Sequence, residues 1–425
     1  MKILNKNIDR QSLLLKILNM EGEPEDGYGV YFHIKGRKIL DLWGAYGANA
    51  LGYNNEMLCN SLMSFLKENR PNVVFPFERE VTKRLESELG RVSGSIYTKS
   101  IFTTGGSESV ETALKIASTI NRDKYYFITF ENSFHGKSIG SLSVTMQPEI
   151  RKDIPLLKNV LFSRYNDTIS FEKILDKEKK NVAAVILEPI QANGGIIEGN
   201  ESFLSKVSEL CKRHNIILID DEVSTGLGRT GKWFAFQQYT KFNPDIICIA
   251  KHLGGGLFPL GASMISKDIL SRYNLDTISL SFTFSSQSIA HYIGCKVIEF
   301  IESNNLLSNV EKIGSYLIDG LKRIKENFPD RIMDVRGRGL IIGIELHPFI
   351  YKKLPNIYTL AVIRELFVNH NILVGLTSSN PSVIRLHPPF IINREQVDEF
   401  LNALAKVLSK NPLSLIGNLI KNGIL

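Results

Sequence analysis

The sequence predicts an α/β protein, a mostly parallel sheet packed between helices. Apolar runs without alternation recur through the middle of the chain, VAAVIL at 182–187, IILI at 216–219 and IICIA at 246–250, as expected of strands covered on both faces. Between the first two lies ESFLSKVSELCKRH, in which Phe203, Leu204, Val207, Leu210 and Cys211 fall on one helical face. Strand, crossover helix and strand make a βαβ unit. At 425 residues the chain can bury a large core and is long enough for two lobes.

Taken in chain order, MKILNKNIDRQSLLLKILNM has its hydrophobic residues broken by charges rather than gathered into a signal core. No apolar run approaches the roughly 20 residues of a membrane span, so a cytoplasmic protein with no membrane partner is expected. IFTTGGSESVETALKIA (101–117) starts as a strand and passes through Gly105, Gly106 and Ser107 into a helix with Val110, Ala113, Leu114 and Ala117 inward. Free N–H groups at such a helix start bind phosphate; a plain turn with an N-cap explains the same residues without a ligand. The three apolar runs stop at charges: Glu188, Asp220 with Asp221, and Lys251. Open parallel sheets bind ligands beyond the carboxyl ends of their strands, although a strand-end charge can also meet solvent or a salt-bridge partner. Glycines follow Lys251 in AKHLGGGLFPLG and allow close backbone approach. Near the C-terminus REQVDEFLNALAKVL (394–408) reads as an amphipathic helix on Val397, Phe400, Leu401, Leu404 and Leu408. The apolar tail SKNPLSLIGNLIKNGIL reads as a packed helix or a surface for a partner.

Composition narrows the function. With 43% hydrophobic and 22% charged residues the chain is an ordinary globular one, not a disordered one. The net charge of +7 comes from scattered residues, without the basic stripe and interleaved aromatics of a nucleic-acid binder; no nucleic-acid partner is expected. Cys59, Cys211, Cys248 and Cys295 lie far apart with no CxxC pair, so they read as reduced thiols, with no metal site.

The most informative stretch is LIDDEVSTGLGRTGKW (218–233). Its Gly226, Gly228 and Gly231 match G-x-G-x-x-G, which would suggest an NAD-dependent dehydrogenase. In a dinucleotide turn, however, the glycines follow the strand at once and open a helix, whereas here Asp221 to Thr225 intervene. The alternative is that Asp221 and Lys251 work on one cofactor. Pyridoxal phosphate needs a lysine amine, an acid that keeps its ring nitrogen protonated, and a helix N-terminus for its phosphate, and all three are present in order. Asp221 would make the ring an electron sink, and Lys251 would carry the proton between substrate carbon and cofactor.

On these motifs, together with DGYGVYFHIKGRKILDLWGAYGANALGY, VRGRGLIIGIEL (335–346) and VIRLHPPFII (383–392), the chain resembles the class III, fold type I, pyridoxal-phosphate-dependent aminotransferases, the group of the ornithine, acetylornithine, 4-aminobutyrate and diaminopelargonate enzymes. The resemblance covers nearly the whole chain. It implies a large cofactor domain over about 70–305 and a smaller α+β domain from both termini, 1–69 and 306–425. It also implies a homodimer with shared active sites and ping-pong transfer of an amino group from an amino-acid donor to an aldehyde or oxo-acid acceptor. Lys251 would be the Schiff-base lysine and Asp221 the partner of the ring nitrogen. Gly106 and Ser107 would hold phosphate, joined by Thr283 from the partner subunit; Phe134 and Val223 would cover the two ring faces. His135, Glu188 and Ser224 would complete the cofactor site, and Arg385, Lys137, Asn193 and Tyr46 would meet substrate, Arg385 by its carboxylate.

Departures from the family pattern bear on substrate. Ser224 stands for a frequent glutamine, Asn193 for the glutamate that gates the carboxylate-binding arginine, and Lys137 for an arginine of the ornithine-type enzymes. Asp220 stands where an apolar residue is usual, Thr104 and Gly105 replace Asn-Ser, and Gln287 and Ser288 follow Thr283 where Asn-Pro is frequent. These changes weaken assignment to the ornithine or acetylornithine branch. An aminomutase or racemase on the same fold would use the same Lys251 and Asp221; a non-catalytic binding protein would have no need of both. A carrier-protein-bound acceptor would suit the basic surface.

Overall fold

In a computed structural model of the protein, residues 10–73, 77–275, 280, 282–348 and 357–423 are described; the first nine residues of the stretch read for a signal core lie outside them. The central sheet has seven strands: β1 (Tyr97–Thr103), β2 (Tyr126–Phe130), β3 (Val160–Ser163), β4 (Val182–Leu187), β5 (Ile217–Asp221), β6 (Ile246–Ile249) and β7 (Gly261–Ser266). Their spatial order is β1-β7-β6-β5-β4-β2-β3. Only β7 runs against its neighbours; the other pairings, from β6 across to β3, are parallel. Every residue of β4 is fully buried, the reason that its sequence is apolar without alternation.

The crossover helix runs Glu201–Arg213, and the Asn200 side chain caps it by accepting from the Phe203 N–H. Its five expected apolar residues are buried. Helix Gly106–Ile120 covers the opposite sheet face with Val110, Ala113, Leu114 and Ala117 inward. One boundary differs from the sequence reading: Asp220 and Asp221 are the last two residues of β5 rather than lying beyond its end, because pairing continues to Ile247 and Cys248 of β6. The pleat sends them to opposite faces. Asp221 shares the side of Ile217 and Ile219, against helix Gly106–Ile120; Asp220 shares the side of Leu218, against helix Glu201–Arg213.

Both ends of the chain meet in further sheets. Strand Ile372–Leu373 pairs in parallel with Arg37–Asp41 of the N-terminal meander. Strands Ile332–Arg338, Ile341–Leu346, Val383–Leu386 and Gly375–Leu376 form an antiparallel sheet. Helix Arg394–Leu408 starts at a capping box between Asn393 and Gln396, with Leu401 half-buried and the other four expected residues inside. The tail is a packed helix, Pro412–Gly423, seated on helices Ile357–His370 and Arg10–Leu18 through Leu415, Ile416 and Leu419. All four cysteines are free thiols. Among the described residues no helix is long and apolar enough to cross a membrane, and no group of His, Cys, Asp or Glu could hold a metal ion.

Candidate active site

A cavity of about 540 Å³ opens at the carboxyl ends of β1, β5 and β6, lined by residues that include Gly106, Ser107, Phe134, Asp221, Val223 and Lys251. Lys251 comes two residues after β6 and takes the left-handed conformation, φ +54°, which is rare for a residue with a side chain. Its ammonium is buried, and burial, followed by the charge of Arg385, pulls its pKa down to about 7 against the opposing pull of Asp221 and Glu188. Nζ donates to Ser224 Oγ at 2.5 Å.

Asp221 faces the same cavity. Its Oδ1 accepts from the Val223 N–H at 3.1 Å, and its Oδ2 lies 2.7 Å from His135 Nδ1. The far nitrogen of His135 is 3.3 Å from Thr129 Oγ1, so the ring and the carboxylate are fixed together. Glu188 accepts from the N–H groups of Phe134 and Ala192, which anchors the loop carrying Phe134; burial raises its pKa to about 7. Across the cavity, helix Gly106–Ile120 presents its N-terminus, with Ser107 Oγ accepting from the Lys137 N–H.

Comparison with known proteins decides the family. The class III aminotransferase family model matches residues 19–408. The chain is a class III aminotransferase. Acetylornithine aminotransferase of Aquifex aeolicus (strain VF5) is 34% identical over 90% of this chain and 96% of its own. Putrescine aminotransferase of Pectobacterium atrosepticum is also 34% identical, over 88% and 80%. A transaminase from the marine bacterium Virgibacillus superposes with a TM-score of 0.86 at 25% identity, covering 98% of each chain. The fold is therefore fold type I, and the activity is pyridoxal-phosphate-dependent amino transfer. The dinucleotide reading fails locally as well: Gly228 and Gly231 sit in turns at φ +103° and +88°, and only a short 3-10 turn, Ala235–Gln238, follows.

The residues of this aminotransferase fit pyridoxal 5′-phosphate. A Cβ on Gly106 would come within 2.9 Å of Val223 Cγ1, and one on Gly136 within 2.4 Å of the Ser107 and Ser141 hydroxyls, so a side chain at either position would displace groups that line the cavity. The Thr104 N–H is already taken by the Glu108 carboxylate, while Gly105, Gly106 and Ser107 line the cavity at the helix start.

A second cluster adjoins Lys251. Arg385 is fully buried, and among the described residues it makes no ion pair; Nη1 donates to Asn193 Oδ1 at 2.6 Å and Nε to His387 Nδ1 at 2.7 Å. The Tyr46 ring lies 5.5 Å from the guanidinium carbon. Lys137 is exposed at the cavity mouth. Thr283 is exposed and does not line the cavity of its own chain. Sequence reasoning missed the Lys251–Ser224 contact, His387, and the wall formed by Leu257, Phe258, Pro259 and Leu260. The wall had a signal, the apolar run directly after GGG; His387 had none, since only the fold turns its ring onto Arg385.

Proposed function

We propose that the aminotransferase takes an amino-acid donor whose carboxylate docks on Arg385 and passes the nitrogen to an aldehyde or ω-oxo acceptor, with Lys251 and Asp221 as the catalytic pair. The observation that carries this reading is a buried arginine that makes no ion pair among the described residues, with Glu188 as the nearby negative charge, and whose own charge acts on a lysine poised near neutrality. When bound, pyridoxal 5′-phosphate supplies the carbonyl that takes up the amine and a ring that accepts the electron pair released at the substrate carbon. Lys251, with a pKa near neutrality, is available both as a nucleophile and as a proton carrier at that carbon. Asp221, oriented by His135 and the Val223 N–H, holds the proton on the ring nitrogen. Gly106 and Ser107 bind the phosphate at the positive end of their helix. Phe134 and Val223 confine the ring between them and exclude water from its faces. Asn193 and Lys137, in place of the family's glutamate and arginine, favour a substrate outside the ornithine type.

The active unit is a homodimer in this reading. Met63, Leu66, Phe77 and Phe284 are more than half exposed, large apolar side chains that a partner subunit would cover, and Thr283, next to Phe284 in sequence, would serve the partner's phosphate site. The chain divides into a cofactor domain over about 70–305 and a small domain from 1–69 and 306–425, and works in the cytoplasm. The test is the visible spectrum of the purified protein, followed while single amine donors are added. A band that shifts with one donor and yields its keto acid supports the reading; an isomerised product with no keto acid released would move the protein to the aminomutases or racemases.

A further inference from the structure

Arg385 stands in the middle of an antiparallel sheet with Gly343 and Gly375 as its two cross-strand neighbours. Residues directly opposite in such a sheet project to the same face, so the arginine has no cross-strand side chain beside it; the space at Gly375 is taken by the Trp43 ring and that at Gly343 by Ile196 and Val383. A five-donor guanidinium on a long stem, left so, would sample many directions. Its aim is set instead by three groups, His387 two residues on at Nε, Asn193 at Nη1 and the Tyr46 ring. None of the three is an acid.

We propose that His387 is a positioning residue that, as a neutral ring with its proton on Nε2, holds Arg385 open for a substrate carboxylate with no internal anion to be displaced. Since the Arg385 N–H donates to Nδ1, that nitrogen is the unprotonated one. Among the described residues the other nitrogen, Nε2, is buried without a hydrogen-bond partner, an arrangement that costs stability and that packing alone does not require. The backbone that carries the ring is fixed: the His387 main-chain N–H donates to the Leu42 carbonyl at 2.8 Å, and its carbonyl would lie 2.5 Å from a Cβ on Gly44. Burial, followed by the charges of Arg385, Arg229 and Lys251, keeps the ring unprotonated. Two N–H directions of Arg385 thus meet neutral acceptors, and the remaining donors await the substrate. The specificity that follows is for donors carrying a carboxylate, over amines that lack one.

The inference rests on the aminotransferase reading, yet its test needs no turnover. Glutarate, a dicarboxylate with no amine to transfer, is titrated calorimetrically into the holoenzyme and into His387→Ala, His387→Asn and Asn193→Asp. Loss of the acceptor should weaken glutarate about tenfold or more in His387→Ala, while His387→Asn, whose Oδ1 can replace Nδ1, stays within about threefold of the parent. Asn193→Asp, which supplies an internal anion, should weaken binding as well. In donor kinetics His387→Ala should raise KM for L-alanine or L-glutamate more than it lowers kcat, and change putrescine less. A parent enzyme that does not bind glutarate, or a His387→Ala enzyme that binds it unchanged, overturns the proposal. Should His387→Ala fail to fold, the other two variants decide: retained affinity in His387→Asn with loss in Asn193→Asp supports it, and the reverse pattern overturns it. An enzyme that binds glutarate in this pattern but transfers no amino group would instead overturn the proposed reaction.

Discussion

Among the described residues Lys251 has Ser224 as its hydrogen-bond partner, and burial of its ammonium sets its chemistry. Its amine is cationic below and neutral above a pKa of about 7, and only the neutral form attacks a carbonyl. Uptake of pyridoxal phosphate by the cofactor-free protein should therefore accelerate as the pH rises towards 7 and level off above it, as followed by stopped-flow absorbance. Lys251→Ala should lower amino transfer by about 10²–10⁴-fold or more while the fold persists. Asp220 presents the opposite case, a polar residue with no part in the chemistry. It is fully buried, among the described residues neither carboxyl oxygen meets a hydrogen-bond donor of ordinary geometry, and burial, with the neighbouring Glu222 and Asp221 carboxyls adding to it, holds its pKa well above the ordinary 3.8. An acid whose folded pKa is raised weakens the fold as the pH climbs from its unfolded towards its folded value. Asp220→Asn should therefore leave stability unchanged near pH 4 and raise it by roughly 1–3 kcal/mol at pH 8. Thermal melts at the two pH values check both halves.

At the scale of elements, the start of helix Gly106–Ile120 joins fold and function. The same turn that ends β1 brings free N–H groups to the cavity, and Gly106 leaves no room for a side chain beside Val223. Gly106→Ala should weaken the cofactor by about tenfold with little change in the unfolding midpoint of the cofactor-free protein, compared by fluorescence titration and by melting. The elements themselves were largely legible. The runs at 182–187 and 246–250 and the helices at 201–213 and 394–408 appear nearly where their periodicity placed them, because burial on two faces or on one stripe leaves a direct mark on sequence. The ends of strands were less legible. β5 extends through two acids, which a hydrophobicity pattern counts as termination, although backbone pairing does not depend on side-chain polarity.

For the whole molecule, Phe77 and Phe284 are exposed and lie outside the core of the single chain. Phe284→Lys should shift the protein towards monomers in sedimentation experiments. Activity should fall with the dimer if Thr283 serves the neighbouring phosphate site, and a fully active monomer would remove that role. The tail helix Pro412–Gly423 has its own partners in helices Ile357–His370 and Arg10–Leu18, so it contributes to the core of the chain rather than to that surface.

The sequence by itself determined the sheet-and-helix alternation and the family, since each depends on residue types at fixed spacing along the chain, and it singled out Asp221 and Lys251. Only the tertiary structure decided what surrounds those residues. It showed Lys251 on Ser224, and Asp221 locked to His135 across 86 positions of sequence. It placed Arg385 between Asn193 and His387 with no acid in reach of a hydrogen bond. Charge, burial and hydrogen bonding act through space, and the distances that set them arise only when strands far apart in sequence are laid side by side.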